Sequence, residues 1–173
     1  ASKVADLSPL RGMPLENLDL TGTQVKDLLS LTGMKLRALV LNETSITDLA
    51  PLTGMPLESL SLYSMRVVDL APLRGMPLTF LAVINCGALS DFTPLATCSK
   101  LRRIYFTNTV VRDLTPLAKL HLTDLRANGS RVTVLTPLRG LPLRLISLGN
   151  GLSGVDINPL SGCATLEESM LQQ

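Results

Sequence analysis

The chain has little of what most catalytic or nucleic-acid-binding proteins rely on. Among its 173 residues there is no Trp, one His, and aromatic residues make up only 3%. With a single histidine, His121, neither a histidine-based metal site nor a Ser-His triad has its usual parts. No phosphate-cradling glycine loop followed by Lys-Ser/Thr occurs. The reading is therefore a chain that is not an enzyme and needs no cofactor or metal. The formal charge is only +2, from 16 basic and 14 acidic residues. A binder of nucleic acid gains affinity by neutralising phosphates, so this balance argues against one. There is no run of about 18 apolar residues, so no membrane span is expected, and the first ten residues have no signal-peptide core. Three cysteines, Cys86, Cys98 and Cys163, stand without zinc or redox spacing. They read as buried thiols of a cytoplasmic protein, although a removed signal peptide would leave no trace here.

What is present is aliphatic and periodic. Hydrophobic residues make up 46%, and with so few aromatics the core has to be mostly Leu. Laid on itself, the chain repeats Asp-Leu-x-Pro-Leu in units starting at Asp6, Asp27, Asp48, Asp69, Asp91, Asp113, Val134 and Asp156, in steps of 21 or 22 residues. The first unit reads DLSPLRGMPLENLDLTGTQVK and the third DLAPLTGMPLESLSLYSMRVV. Residues 1–173 thus form a single domain of about eight repeats.

Each unit has two halves. The second, L-x-x-L-x-L, alternates with the period of a half-buried strand. Its inward pairs are Leu18 and Leu20, Leu39 and Leu41, Leu60 and Leu62, Leu81 and Val83, Ile104 and Phe106, Leu125 and Ala127, and Ile146 and Leu148. The first half is too short for a full helix. Its Asp can accept hydrogen bonds from the free N–H groups of a helical turn, and Pro is tolerated in a first turn. Gly12, Gly33, Gly54, Gly75, Gly140 and Gly162 are then placed to end the turn at positive φ. One unit cannot bury its apolar face alone, but stacked units cover one another. Strands about 4.8 Å apart, seven or eight in number, would give a sheet on the order of 35 Å long.

The composite L-x-x-L-x-L-x-x-(Thr/Cys)-x-(Val/Ile)-x-Asp-Leu-x-Pro-Leu resembles the leucine-rich repeat family over essentially the whole chain. It looks most like the short 21–22-residue class that includes Sds22-like proteins and the bacterial internalins, and its Gly-Met-Pro-Leu and Asn-Thr-x-Val segments resemble planctomycete and trypanosomatid repeats. The resemblance implies an α/β solenoid, a right-handed horseshoe with a parallel sheet on the concave face and 3₁₀ or short helical turns on the convex face. Such a fold is unspecific for function. The family usually carries an Asn after the strand that links adjacent turns. Here the position holds Thr23, Thr44, Met65, Cys86, Thr109, Ser130 and Gly151, so the expected ladder is weak beside Met65 and Gly151.

At the N-terminus, Val4 falls where Val25 does, so the chain is expected to start inside a preceding repeat. At the C-terminus, Glu167, Glu168 and Ser169 read as the polar face of a capping unit.

Outward strand positions are free to vary and should carry function. On the first three repeats the charges are Glu16, Asp19, Arg37, Glu43 and Glu58, a net of −3; on the fifth to seventh they are Arg102, Arg103, Asp124, Arg126 and Arg144, a net of +3. Between these ends Tyr63, Phe80, Ile84 and Tyr105 point outward beside Arg103 and Arg126, whereas Phe92 and Phe106 take inward positions. Tyr and Arg are enriched at binding hot spots, and an exposed apolar group often marks an interface. The six residues Tyr63, Phe80, Ile84, Arg103, Tyr105 and Arg126 are the expected contact site for another protein. A monomer that binds neither nucleic acid nor membrane is expected. Two further functions fit the sequence: a non-catalytic regulatory arm of a larger kinase, phosphatase or ubiquitin ligase, and a structural spacer. Asn42, Asn85, Asn108, Asn128 and Asn150 follow the strands, as rim contacts or as ordinary turn residues.

Overall fold

In a computed structural model describing residues 3–149 and 154–163, the chain is an α/β solenoid whose strands form one parallel sheet. The strands are β1 (Asn17–Asp19), β2 (Ala38–Val40), β3 (Ser59–Tyr63), β4 (Phe80–Ile84), β5 (Arg103–Tyr105), β6 (Asp124–Arg126) and β7 (Leu145–Ser147). They lie in the sheet in sequence order. Pairing is in register: Leu18, Leu39, Leu60, Leu81, Ile104, Leu125 and Ile146 form one continuous row. Because side chains alternate faces along a strand, this register puts every apolar tier of one repeat over that of the next. Leu39, Leu60, Leu81, Ile104 and Leu125 are completely buried, and burying each contributes roughly 1.5–3 kcal/mol. Leu18 has a strand on one side only and is half-buried. Phe92 and Phe106 take their inward places and meet edge to face, 5.0 Å between centroids.

The opposite side is a column of 3₁₀ turns, among them Ser8–Leu10, Ala50–Leu52, Ala71–Leu73 and Thr115–Leu117. The capping expected of the aspartates is present. Oδ1 of Asp6, Asp27, Asp48, Asp69, Asp91, Asp113 and Asp156 each accepts the N–H of the residue two further on, at 2.7–3.0 Å. Leu28–Leu29–Ser30 forms the same turn without a proline, at Leu29–Leu31.

Two sequence expectations are corrected. Gly12, Gly33, Gly54, Gly75 and Gly140 do end their turns at φ 68–76°, but Gly162 has no positive φ and lies inside a longer turn, Asn158–Gly162. Thr93–Thr97 is its counterpart, also five residues long. Each is followed by a cysteine at the bend, and the Cys98 and Cys163 thiols donate to the Leu73 and Leu138 carbonyls of the preceding turn. An extra residue in the bend is thus absorbed by lengthening the turn.

The second correction concerns the links between repeats. The Thr23, Thr44 and Thr109 hydroxyls donate back to Leu20, Leu41 and Phe106 of their own repeat. Among the described residues of this position, Cys86 alone crosses, its thiol donating to the Leu62 carbonyl at 3.2 Å. Asparagines with a longer reach do the linking. Asn42 Oδ1 accepts from the Ser61 hydroxyl and the Tyr63 N–H, Asn128 Oδ1 accepts from the Ser147 hydroxyl, and Asn108 donates to Asn85 at 2.7 Å. Asn85 and Asn108 belong to a left-handed column with Gly22, Glu43, Ser64 and Gly129, all at φ 54–66°. Asn is among the few residues with a side chain that tolerate this conformation. Asn150 and Gly151, and the proposed cap at Glu167, Glu168 and Ser169, lie outside the described residues.

Candidate functional site

The sheet's outward face is a grid of three rows set by register. One row reads Asn17, Ala38, Ser59, Phe80, Arg103, Asp124 and Leu145; the next reads Asp19, Val40, Ser61, Ala82, Tyr105, Arg126 and Ser147. Tyr63 and Ile84 are paired at the far end of β3 and β4. All six residues expected at a contact site therefore lie on this face.

Four of them are joined. The Arg103 guanidinium carbon lies 5.1 Å from the centroid of the Phe80 ring, and that of Arg126 lies 4.7 Å from the Tyr105 ring. Phe80 and Tyr105 meet edge to face at 5.2 Å. Such stacking holds a long, flexible side chain in one place and contributes about 0.5–1 kcal/mol at an exposed site. Ala82, between Phe80 and Ile84 and in register with Tyr105, is 4% exposed although it points outward. It is the floor between the quartet and the Tyr63–Ile84 pair. Tyr63 is 36% exposed, and its N–H is held by Asn42.

The charges are arranged differently from the simple polarised face expected. Glu16, Arg37, Glu58, Arg102 and Arg144 stand one residue before the strands, at the rim rather than on the grid. Arg37 and Glu58 form an ion pair at 2.9 Å, with side chains 58% and 47% exposed, which removes one charge of each sign from the acidic half. Asp19 is turned to Thr21, whose hydroxyl and N–H donate to it and hold its carboxyl below the ordinary range. Arg102 donates to the Ser99 and Leu101 carbonyls. Besides Asp19, the charges on the grid itself are Arg103, Asp124 and Arg126. Asp124 belongs to the site although the sequence reading left it among the general charges; only the register, which sets it opposite Arg103, reveals it.

Elsewhere the described residues offer little chemistry. Burial pushes the Cys86, Cys98 and Cys163 thiols up, which makes them poor nucleophiles. His121 is exposed. Among the described residues no group of His, Cys, Asp and Glu is gathered as metal ligands would be, and no helix is long and apolar enough to cross a membrane. A hollow of about 510 Å³ beside β1 is lined by Leu7, Leu10, Leu18 and Leu20, apolar side chains of the first tier.

Comparison with solved structures gives the decisive likeness. Internalin C2 from Listeria monocytogenes superposes with a TM-score of 0.89 at 30% identity, over 95% of this chain and 75% of that one. The chain belongs to the leucine-rich repeat family. An internalin (InlF) of the same organism matches with a TM-score of 0.75 at 24% identity, and this leucine-rich repeat spans 57% of its length. The functional domain of InlJ, described as including a cysteine ladder, matches at 0.60 and 19% identity over 40% of its length; both show the shared fold. No family profile and no curated protein matches the chain.

Proposed function

We propose that this leucine-rich repeat is a protein-binding module, and that its concave sheet receives the partner with Phe80, Arg103, Tyr105 and Arg126 at the centre and Tyr63 and Ile84 beside them. The observation that carries this reading is the stacked quartet. Two aromatic rings and two guanidiniums stand on a strand face, although the core of the same repeats accepts aromatics, as Phe92 and Phe106 show. Rigid aromatic and arginine side chains lose little freedom on binding and dominate measured hot spots. The likeness to internalins, which are leucine-rich repeat proteins, fits the same general role.

The test is capture from the native cell extract by wild type and by the double variant Arg103→Glu/Tyr105→Ala, with the captured protein then purified and titrated against both. Loss of at least tenfold in affinity with an unchanged melting temperature supports the reading. Equal affinity of the two folded proteins for every captured protein refutes it.

A further inference from the structure

Among the described residues the guanidiniums of Arg103 and Arg126 make no hydrogen bond or ion pair, although a carboxylate stands between them. Asp124 is opposite Arg103 in register and two residues before Arg126 on the same face. Its Oδ2 instead accepts the Thr123 hydroxyl at 2.6 Å. Both guanidiniums lean across one strand, toward β4 and β5, and lie on rings. Ring stacking uses the flat face of a guanidinium and leaves its N–H edge, with five donors, unspent. That edge matches a carboxylate, which it can hold through two parallel charge-assisted bonds.

The spacing of the two edges follows from the sheet. Arg103 and Arg126 are one strand apart, about 4.8 Å, and two residues apart along the strand, about 6.6 Å, so their Cα atoms are separated by roughly 8 Å. Both side chains lean the same way, each over the ring on the preceding strand. In an extended chain, side chains two residues apart project on the same side at roughly 6.6–6.8 Å. Resting on the protein-binding reading above, we propose that the Arg103–Arg126 end of the grid recognises an extended acidic segment of the partner, with two carboxylates at positions i and i+2. Charge complementarity selects the occupant: the β5–β6 part of the sheet is basic, with Arg102 and Arg144 at its rim. RNA is disfavoured, because bases need free aromatic faces on which to stack, and at this end of the grid the Phe80 and Tyr105 rings each already carry a guanidinium.

The test uses fluorescein-labelled Gly-Glu-Tyr-Glu-Gly, its Gln-Tyr-Gln counterpart and poly(U) RNA, titrated by anisotropy at low and at physiological salt. Wild type is expected to bind the Glu peptide at least tenfold more tightly than the Gln peptide. Arg103→Ala/Arg126→Ala should abolish that preference, and Arg103→Lys should weaken it, because a lysine keeps the charge and loses the planar edge. Circular dichroism melts confirm that the variants are folded. Equal binding of the Glu and Gln peptides, binding of neither, survival of the preference in the double alanine variant, or displacement of the Glu peptide by poly(U) overturns the proposal. If both peptides bind alike and Tyr105→Ala releases both, the concave protein-binding surface stands and the acidic preference alone falls.

Discussion

At the scale of single residues, the positions that matter most are those whose backbone leaves no choice. Gly129 sits at φ 66°, and a Cβ built on it would collide with Oδ1 of Asn108, the amide that donates to Asn85. Gly54 has a similar φ, 73°, but open space around it. Gly129→Ala should therefore cost about 2–3 kcal/mol, against about 1 kcal/mol for Gly54→Ala, which suffers backbone strain alone. Urea titration of both variants measures the difference; equal midpoints would mean that Asn108 swings aside freely. The same asparagines show where reading residues alone ran out. Thr23, Thr44 and Thr109 stand at the family's linking position, so they were expected to tie turn to turn. Thr23 and Cys86 hold their polar atoms one bond from Cβ, yet one reaches its own repeat's carbonyl and the other the neighbouring repeat's. A sequence pattern does not carry that distinction.

At the scale of elements, the 3₁₀ turns repeat one device, and among the described repeats the turn at Thr136–Leu138 lacks it. Val134 occupies the place of the capping Asp before Thr136–Leu138 and is 56% exposed. Val134→Asp would give the Thr136 N–H the acceptor that Thr115 has from Asp113. A gain of about 0.5–1 kcal/mol is expected, seen as a rise of roughly 1–4 °C in melting temperature, and Asp113→Val should produce a loss of similar size. No change in either variant would show that these turns are held by Pro and leucine packing alone. The strands were the most legible elements. Leu81 and Val83 inward, with Phe80 and Ile84 outward, follow from a period of two, and the structure agrees. The stacking of Arg103 on Phe80 was not legible. These residues are 23 apart whereas Ser59 and Phe80 are 21 apart, so their meeting depends on the bends after β4 and before β5 absorbing the two extra residues.

At the scale of the whole molecule, the described elements touch only their neighbours in the stack, and surface carboxylates and buried thiols bound the pH range of stability. The Thr93 and Thr115 hydroxyls, and the Ser8 N–H, hold Asp91, Asp113 and Asp6 below the ordinary carboxylate range. In the unfolded chain these groups titrate near about 3.9. Their contribution is therefore complete above that pH and is lost as the pH falls through their lower folded values. The three thiols act in the opposite sense: burial raises them, so their contribution is present below about pH 8.5 and is lost as the pH rises through the folded values. The melting temperature should be level between about pH 5 and 8 and decline on both sides. A maximum inside the acidic limb, below about pH 4, would contradict this assignment.

The strict register of the rows has a consequence for how such a chain can change over generations. Residues 48–68 form one whole unit of 21 residues, flanked by equivalent points. Excising or duplicating such a unit by unequal recombination would bring like surfaces together, with β2 meeting β4 as it now meets β3. The quartet on β4, β5 and β6 would travel through that event intact. Reach and the proposed recognition site can thus be inherited separately: repeat number sets the span of the arc, and one short stretch of three strands keeps the quartet together.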